Sequence, residues 1–397
     1  MADLNTLNKE KKTKRIKKIA VVQTGGCSAV INSTLAGIIA EAQKCGLDIC
    51  GLLHGFEGLM KDQLVDLTHL TADELSRLRN TPAMFLGSSR MFLTAELFRD
   101  IPQRLAQHGI DALIMIGGNG TMYAADVISK SAAEQDIALT VLGSPKTVDN
   151  DIFGVEYSPG FGSAACYIAH AVRDISIDLE SMKTFEQVRI IEVMGRSVGW
   201  LAAASALAQR GPGTPPHLIY LPEYDFDEEE FLQDVDRVYK QKGFAVAVIG
   251  EGIHSAGGSP IGANPFTSTG SVNKIYGGAS SYLASLVSGK LHLKARAQDL
   301  TMAQRCFGAA RSAADEQMAY EVGAATVRAM MKGAAGCMIC PDGSTLPLAD
   351  VGGRERGVPE AFYDRQSKQV TPKFIDWITP ITGRLANEYL SLSDLNI

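Results

Sequence analysis

The strongest constraint on how this chain can fold is an alternation that persists for almost its whole length. Short apolar runs are followed, again and again, by segments with helical spacing. Ile19–Thr24, Asp48–Leu53, Ala112–Ile116, Ala138–Leu142, Val188–Val193, Phe244–Ile249 and Ala335–Cys340 read as strands. Helical patterns cover Ile31 to Gln43, begin near Thr121, Phe161 and Ser197, and recur near Val272–Ser288 and Ala310–Met331. Thr71-Ala-Asp-Glu74 is a capping box that opens a further short helix. Strands separated by helices cannot pair as hairpins and need crossover connections. The predicted fold class is therefore α/β, with mostly parallel sheets flanked by helices. At 397 residues the chain has room for two or three lobes, each with a sizeable core.

Composition narrows the function. The 38 Lys+Arg and 44 Asp+Glu residues leave a formal net charge of −6, which offers no basic field for nucleic acid. Only Lys9 through Lys18 forms a basic run, and it reads as a solvated, disordered arm. No apolar stretch reaches the ~20 residues of a membrane span, and the N-terminus lacks the apolar core of a signal peptide. The seven cysteines, at 27, 45, 50, 166, 306, 337 and 340, are scattered and odd in number. Cys337 and Cys340 make a C-x-x-C without a second pair, which favours core thiols over a metal or redox site. These features point to a reduced, cytoplasmic protein that contacts neither membrane nor nucleic acid.

Parallel sheets bind ligands at the carboxyl ends of their strands, and the unusual residues of this sequence gather there. Gly25-Gly26 lies between a strand and a helix, where backbone N–H groups can meet a phosphate or simply turn the chain. Gly117-Gly118-Asn119-Gly120-Thr121 repeats the pattern and adds a side-chain oxygen and a hydroxyl. Together the two loops could cradle a polyphosphate and a metal ion, but the spacing is not that of a P-loop. Ser144-Pro-Lys-Thr-Val-Asp-Asn-Asp151 is the densest polar stretch. Two carboxylates two residues apart can divide the work, one facing a hydroxyl proton and one a metal, while Lys146 meets charge on a phosphoryl group. Taken alone, the same stretch also fits an Asx-rich turn.

Pro145-Lys-Thr-Val-Asp-Asn-Asp151 resembles the signature of the phosphofructokinases. Around it, in order, stand Gly87-Ser-Ser-Arg90, the glycine loop at 117–121, Met194-Gly195-Arg196 with Gly199-Trp200, and Gly250-Glu251-Gly252. Arg296 and Gln304-Arg305 complete the series. The resemblance spans about residues 18–330, and Thr371-Pro-Lys-Phe374 looks like the tail of the longer, pyrophosphate-type members. It implies two Rossmann-like lobes: 19–155 binding donor phosphates and 156–334 binding the sugar phosphate, with possible crossing between them. Residues 1–18 would be an arm and 335–397 a C-terminal extension.

The resemblance further implies that Asp149 is the general base toward the C1 hydroxyl of fructose 6-phosphate, with Lys146 assisting transfer. Thr147, Asp149, Met194, Gly195, Arg196 and Glu251 would contact the sugar. Arg305 would hold its 6-phosphate, with Met302 beside it and Arg296 reaching the same phosphate from a neighbouring subunit of a dimer or tetramer. Gly26, Arg90, Gly118, Asn119, Gly120 and Thr121 would hold the donor, and Asn119 and Asp151 would serve magnesium. Phosphoryl transfer suits such a set, since it needs positioning and charge neutralisation more than covalent help.

Four positions depart from the pattern. Cys27 stands where many members have Asp, Asn119 where Asp usually binds metal, and Met302 where His or Tyr meets the sugar phosphate. Gln187 replaces a second inter-subunit arginine, with Arg189 two residues on. In the family, Asp at position 120 would fill the space of an α-phosphate and accompany pyrophosphate use. Gly120 favours ATP, whereas Lys146 and the overall layout match the pyrophosphate enzymes. The expectation is a 6-phosphofructokinase using ATP, with pyrophosphate dependence as the alternative. The departures also admit a weakly catalytic regulatory subunit.

Overall fold

A computed structural model describes residues 15–89, 91–262, 277–385 and 389–390. In chain order the strands are β1 (Lys18–Gln23), β2 (Asp48–Leu52), β3 (Leu64–Asp66), β4 (Ala112–Gly117), β5 (Thr140–Pro145) and β6 (Val188–Val193). They continue as β7 (Leu218–Tyr220), β8 (Ala245–Gly250), β9 (Ala295–Asp299), β10 (Cys337–Ile339), β11 (Thr345–Pro347), β12 (Tyr363–Asp364) and β13 (Gln369–Val370). The helices are α1 (Ile31–Lys44), α2 (Phe56–Met60), α3 (Ala72–Asn80), α4 (Ala95–Gln107), α5 (Asn119–Glu134), α6 (Phe161–Ser181) and α7 (Trp200–Ala204). After these come α8 (Glu228–Lys242), α9 (Ala279–Leu291), α10 (Ala303–Cys306), α11 (Ala313–Met331), α12 (Leu348–Val351) and α13 (Pro372–Thr382).

Two main sheets result. The first has the order β11-β10-β5-β4-β1-β2-β3 and the second β7-β8-β6-β9. Only β3 and β11, at the two edges of the first sheet, run antiparallel to their neighbours. The central strands β4, β6 and β8 are buried at every residue, as strands covered on both faces must be. This is the α/β architecture with mostly parallel sheets that the alternation requires.

The differences from expectation have local causes. β5 begins two residues later than expected and takes in Ser144 and Pro145, which pair in register with Ile116 and Gly117 of β4. The helix expected from Ser197 begins at Trp200, because residues 195–198 form a turn, closed by the Val198 N–H on Gly195 O at 3.0 Å, with Gly195 and Arg196 at φ of 137° and 55°. The last long helix starts at Ala313, behind an N-cap at Ser312 whose hydroxyl accepts from the Asp315 N–H at 3.2 Å. The pattern near Val272–Ser288 emerges as α9, and its portion up to residue 276 lies outside the described residues, as do residues 1–14 of the basic arm. The capping box at Thr71 and Glu74 is present in both directions.

The chain crosses between the lobes. α11 lies against α1 of the first lobe, and the approach is close enough to require glycine on both sides. A Cβ on Gly37 would fall 2.0 Å from the Tyr320 carbonyl oxygen, and one on Gly323 would fall 2.1 Å from that of Thr34. β10 and β11, within the segment expected as an extension, complete the first sheet beside β5. α13 then docks on the second lobe through Trp377, whose ring lies 4.8 Å from both Tyr157 and Trp200. Phe374 of α13 is fully buried, which contributes roughly 1.5–3 kcal/mol.

Candidate active site

A cleft of about 640 Å³ opens at the carboxyl ends of the strands of both sheets. Its floor is built from two glycine loops held to each other. The Thr24 N–H donates to the Ile116 carbonyl at 2.9 Å, and the Thr24 and Thr121 hydroxyls lie 2.6 Å apart. Gly25 has φ of 77°, which turns Gly26 and Cys27 over the cleft. α5 begins at Asn119, so the N–H groups of its first turn face the same space. A Cβ on Gly120 would meet no atom within 4 Å, so the helix start is open at that position.

β5 delivers the polar stretch. The Lys146 N–H donates to Gly117 O at 2.8 Å and its ammonium donates to the Gly26 carbonyl, so one residue joins both glycine loops. Burial lowers its pKa to about 8 despite the carboxylates of Asp149 and Asp151. Asn150 adopts φ of 55°, and its buried side chain accepts from the Ser158 N–H at 2.8 Å and donates to Glu156 O at 3.2 Å. That pinned turn sets the two carboxylates on either side of it. Burial raises the pKa of Asp149, and Asp151 and Glu251 add to the rise while Arg196 and Lys146 oppose it. A carboxyl held above its ordinary range is suited to taking a proton near neutral pH.

The facing wall comes from the loops after β6 and β8 and from α10. Glu251, at the end of β8, accepts the Arg196 N–H at 3.0 Å, and its own N–H donates to Val193 O at 2.9 Å. Gly252 packs so closely beneath this loop that a Cβ would fall 1.7 Å from Arg196 O. Gln304 accepts the Met194 N–H at 3.0 Å and donates to Thr301 O at 2.9 Å, fixing the loop that carries Met194. Arg305, on α10, has a buried Nε without a hydrogen-bond partner among the described residues. Arg305 also lines the cleft, and a guanidinium there is suited to an anion.

The structure thus gathers Gly26, Gly118, Asn119, Gly120, Thr121, Lys146, Thr147, Asp149 and Asp151 around one cleft, together with Met194, Arg196, Glu251, Met302 and Arg305. Gly195 shapes the loop between Met194 and Arg196 without lining the space. Arg296 lies apart on β9, its side chain 62% exposed and its Nε 2.7 Å from Glu186 Oε2. Arg189, near the missing inter-subunit arginine, is buried and paired with Glu186 and Asp178. Arg90 lies outside the described residues. Sequence reasoning missed Thr24, Asn150 as a pin, and an apolar wall of Phe56, Met91 and Leu93. The sequence gives no signal for the wall, whose residues come from the start of α2 and from the loop before α4.

Two residues bear on a metal. Asp151 is 7% exposed, and its Oδ1 has no hydrogen-bond partner among the described residues, so it fits a cation. The Asn119 side chain is occupied by a strap of the C-terminal segment: Nδ2 donates to Arg354 O at 2.6 Å and Oδ1 accepts the Gly353 N–H at 2.9 Å. The strap continues with the Arg356 N–H on Asp151 O at 2.9 Å and the Ser197 hydroxyl on Glu355 at 2.6 Å. No group of three or more His, Cys, Asp or Glu among the described residues could hold a metal ion. Magnesium would therefore need oxygens from the donor phosphates, as it commonly does.

A doubly lobed α/β fold with two glycine loops, a buried Lys–Asp–Asp stretch and an arginine aimed into one cleft defines a phosphotransferase acting on a small anionic substrate. The phosphofructokinase family model matches residues 18–330, and the chain belongs to that family. It is 39% identical to the sulfofructose kinase of Alkalicoccus urumqiensis over 81% of this chain and 82% of that one. Identity to the pyrophosphate–fructose 6-phosphate 1-phosphotransferase of Rhodospirillum rubrum is 34%, over 92% and 94%. An ATP-dependent 6-phosphofructokinase of Persephonella marina is 31% identical over 61% of this chain and 70% of that one. The crystal structure of the pyrophosphate-dependent phosphofructokinase of Marinobacter aquaeolei superposes with a TM-score of 0.81 at 29% identity, covering 94% of each chain.

Proposed function

We propose that this protein is a cytoplasmic 6-phosphofructokinase that transfers a phosphoryl group from ATP to the C1 hydroxyl of fructose 6-phosphate. The observation that carries the reading is the meeting of Asp149, Lys146 and Arg305 in one cleft. Asp149 takes the C1 hydroxyl proton on its carboxylate as the oxygen attacks the terminal phosphorus of the donor. Lys146 and the first-turn N–H groups of α5 offset charge on the transferring group and on the leaving phosphate. Thr147, Arg196 and Glu251 orient the sugar, and Arg305 holds the anionic group at its far end. Asp151, together with oxygens of the donor, would hold magnesium, which would supply further charge neutralisation for the transfer.

ATP is favoured over pyrophosphate by two features. The open space at Gly120 leaves room beyond the two outer phosphates. The apolar wall of Phe56, Met91 and Leu93 offers a face for a base, which pyrophosphate does not need. Pyrophosphate remains the alternative donor, supported by Lys146 and by the relatives that use it. The exposed Arg296 supports a homo-oligomer in which each chain completes its neighbour's sugar-phosphate site.

A second substrate reading is favoured by Met302. At 55% exposure it lines the cleft beside Arg305, where a hydrogen-bonding residue would suit a dianionic phosphate. A sulfonate has one charge and demands less, and a sulfofructose kinase is among the relatives. One assay separates these readings: kcat/KM for fructose 6-phosphate and sulfofructose, each with ATP and with pyrophosphate. Preference for sulfofructose establishes the second reading, and turnover with no pairing establishes a regulatory subunit.

A further inference from the structure

The residues that follow α12, 353–358, bond to three separate parts of the cleft's framework. They arrive pressed against α5, since a Cβ on Gly352 would fall 2.7 Å from Tyr123 Cα. At the start of α5, Asn119 accepts the Gly353 N–H at 2.9 Å and donates to Arg354 O at 2.6 Å. At the polar turn, Glu355 bridges Ile152 in antiparallel fashion and the Arg356 N–H donates to Asp151 O at 2.9 Å. At the loop after β6, Glu355 accepts the Ser197 hydroxyl at 2.6 Å. The Arg356 guanidinium anchors the run, donating to Val155 O and Glu156 O at 2.9 and 2.8 Å and lying 4.3 Å from the centre of the Trp200 ring. Glu223 closes it by accepting the N–H groups of Val358 and Gly199 at 2.7 and 2.9 Å.

This pattern selects the residue at position 119. The strap presents one donor and one acceptor to it, a demand that an amide meets and a carboxylate does not. In Asn119→Asp a carboxylate oxygen would stand 2.6 Å from the Arg354 carbonyl oxygen, two acceptors with no proton between them. We propose that Asn119 is a positioning residue that docks the strap, and that the strap holds the α5 start, the Asp151 turn and the Ser197 loop in register. The amide is thus the side chain that the C-terminal segment requires, rather than a weakened magnesium ligand. The kinetic part of this inference rests on the phosphotransfer reading, and the docking part does not.

The test has a structural and a kinetic arm. Hydrogen exchange of the peptide 350–358, read by mass without substrate, should be slow in the unaltered chain. It should quicken on the order of 10-fold in Asn119→Ala and Asn119→Asp, each of which removes at least one docking bond. The interior of α5 should keep its exchange rate, which shows that the chain is folded. In turnover, Asn119→Ala should lower kcat/KM for the donor roughly 10- to 10²-fold, the range for groups misplaced by up to an ångström, with magnesium dependence unaltered. Glu355→Ala frees Ser197 at the other end of the strap and should instead raise KM for the sugar about 3- to 10-fold, the worth of one hydrogen bond. A merely structural strap would move the melting point and leave both kinetic constants alone.

Unchanged exchange in Asn119→Ala overturns the docking, and faster exchange with unaltered kinetics overturns the positioning. If Asn119→Asp reaches half its rate at lower magnesium while the strap stays protected, position 119 is a metal ligand and the proposal falls. A chain that turns over no sugar with either donor refutes the phosphotransfer reading instead, and the exchange arm still decides the docking.

Discussion

Replacing Gly120 with Asp tests the donor reading at a position where the protein itself raises no steric objection. A Cβ there meets nothing within 4 Å, so the carboxylate enters open cleft rather than packed chain. If the α-phosphate of ATP occupies that space, two like charges come within about 4 Å. Coulomb's law gives roughly 4 kcal/mol at that distance for an effective dielectric constant near 20. Position 120 is exposed, and solvent screening reduces the figure to about 2–4 kcal/mol. That corresponds to a loss of roughly 30- to 10³-fold in ATP affinity. Pyrophosphate ends before this point and retains Lys146, so its use should be unchanged or improved. The substitution sits in the first turn of α5, where a negative charge and the replacement of glycine both favour the helix, by about 0.3–1 kcal/mol each. The thermal midpoint should therefore stay level or rise, which separates donor loss from unfolding. The assay is kcat/KM for both donors at matched magnesium, beside a melting curve. Full ATP activity in Gly120→Asp would show that the α5 start does not face the α-phosphate, and the donor argument would fail with it.

Asp149→Asn should lower kcat by ~10²–10⁴ while leaving donor and sugar binding nearly intact, and unchanged turnover would remove Asp149 from the base role. The pH profile of kcat/KM should be a narrow bell. Its acidic limb should lie above the ordinary carboxylate range, because Asp149 must be ionised and its pKa is raised. Its alkaline limb should begin near 8 as Lys146 loses its proton, and a flat profile through pH 9 would contradict that role. Arg305→Ala should chiefly raise KM for the sugar anion, since contact to a non-reacting group gives uniform binding, and a kcat defect at unaltered KM would refute it. Arg296→Ala and Asp149→Asn subunits, each inactive alone, should partly restore activity when mixed. No recovery after confirmed subunit exchange would place both residues in one chain's site.

How much of this was legible in advance depended on whether the signal was local. The strands β4 and β8 are continuous apolar runs and β1 carries one from Ile19 to Val22, so burial on both faces is written into consecutive residues, whereas β6 buries Arg189 and Glu192 among its apolar residues. β9 reads Ala-Arg-Ala-Gln-Asp and carries no such run, because it is an edge strand whose residues are all partly or fully exposed. α4 and α8 are amphipathic and largely polar, so neither stands out as an apolar pattern, although Asp227 caps α8. In the site, the Lys–Thr–Val–Asp–Asn–Asp stretch was legible because its chemistry is contiguous. The strap at 353–356 was not, since it meets Asn119, Asp151 and Ser197 only through the tertiary fold. Asn119 shows the limit: its amide reads as a weakened metal ligand in sequence, and in the structure both of its polar atoms bond to strap backbone.

The pairing of β10 with β5 has a consequence for how the protein is made. During synthesis β1 to β5 emerge first, but the first sheet then ends on β5, a parallel strand with its outer hydrogen-bonding edge unfilled. The whole second sheet must leave the ribosome before Cys337 and Met338 arrive to pair with Leu142 and Gly143. At ~5–20 residues per second, nearly two hundred intervening residues leave that apolar edge unpaired for on the order of ten seconds or more. An open edge of this kind is a template for pairing with another chain. The nascent first lobe is thus the aggregation-prone stage of this protein's life, and β10, translated only after the whole second sheet, is the strand that ends it.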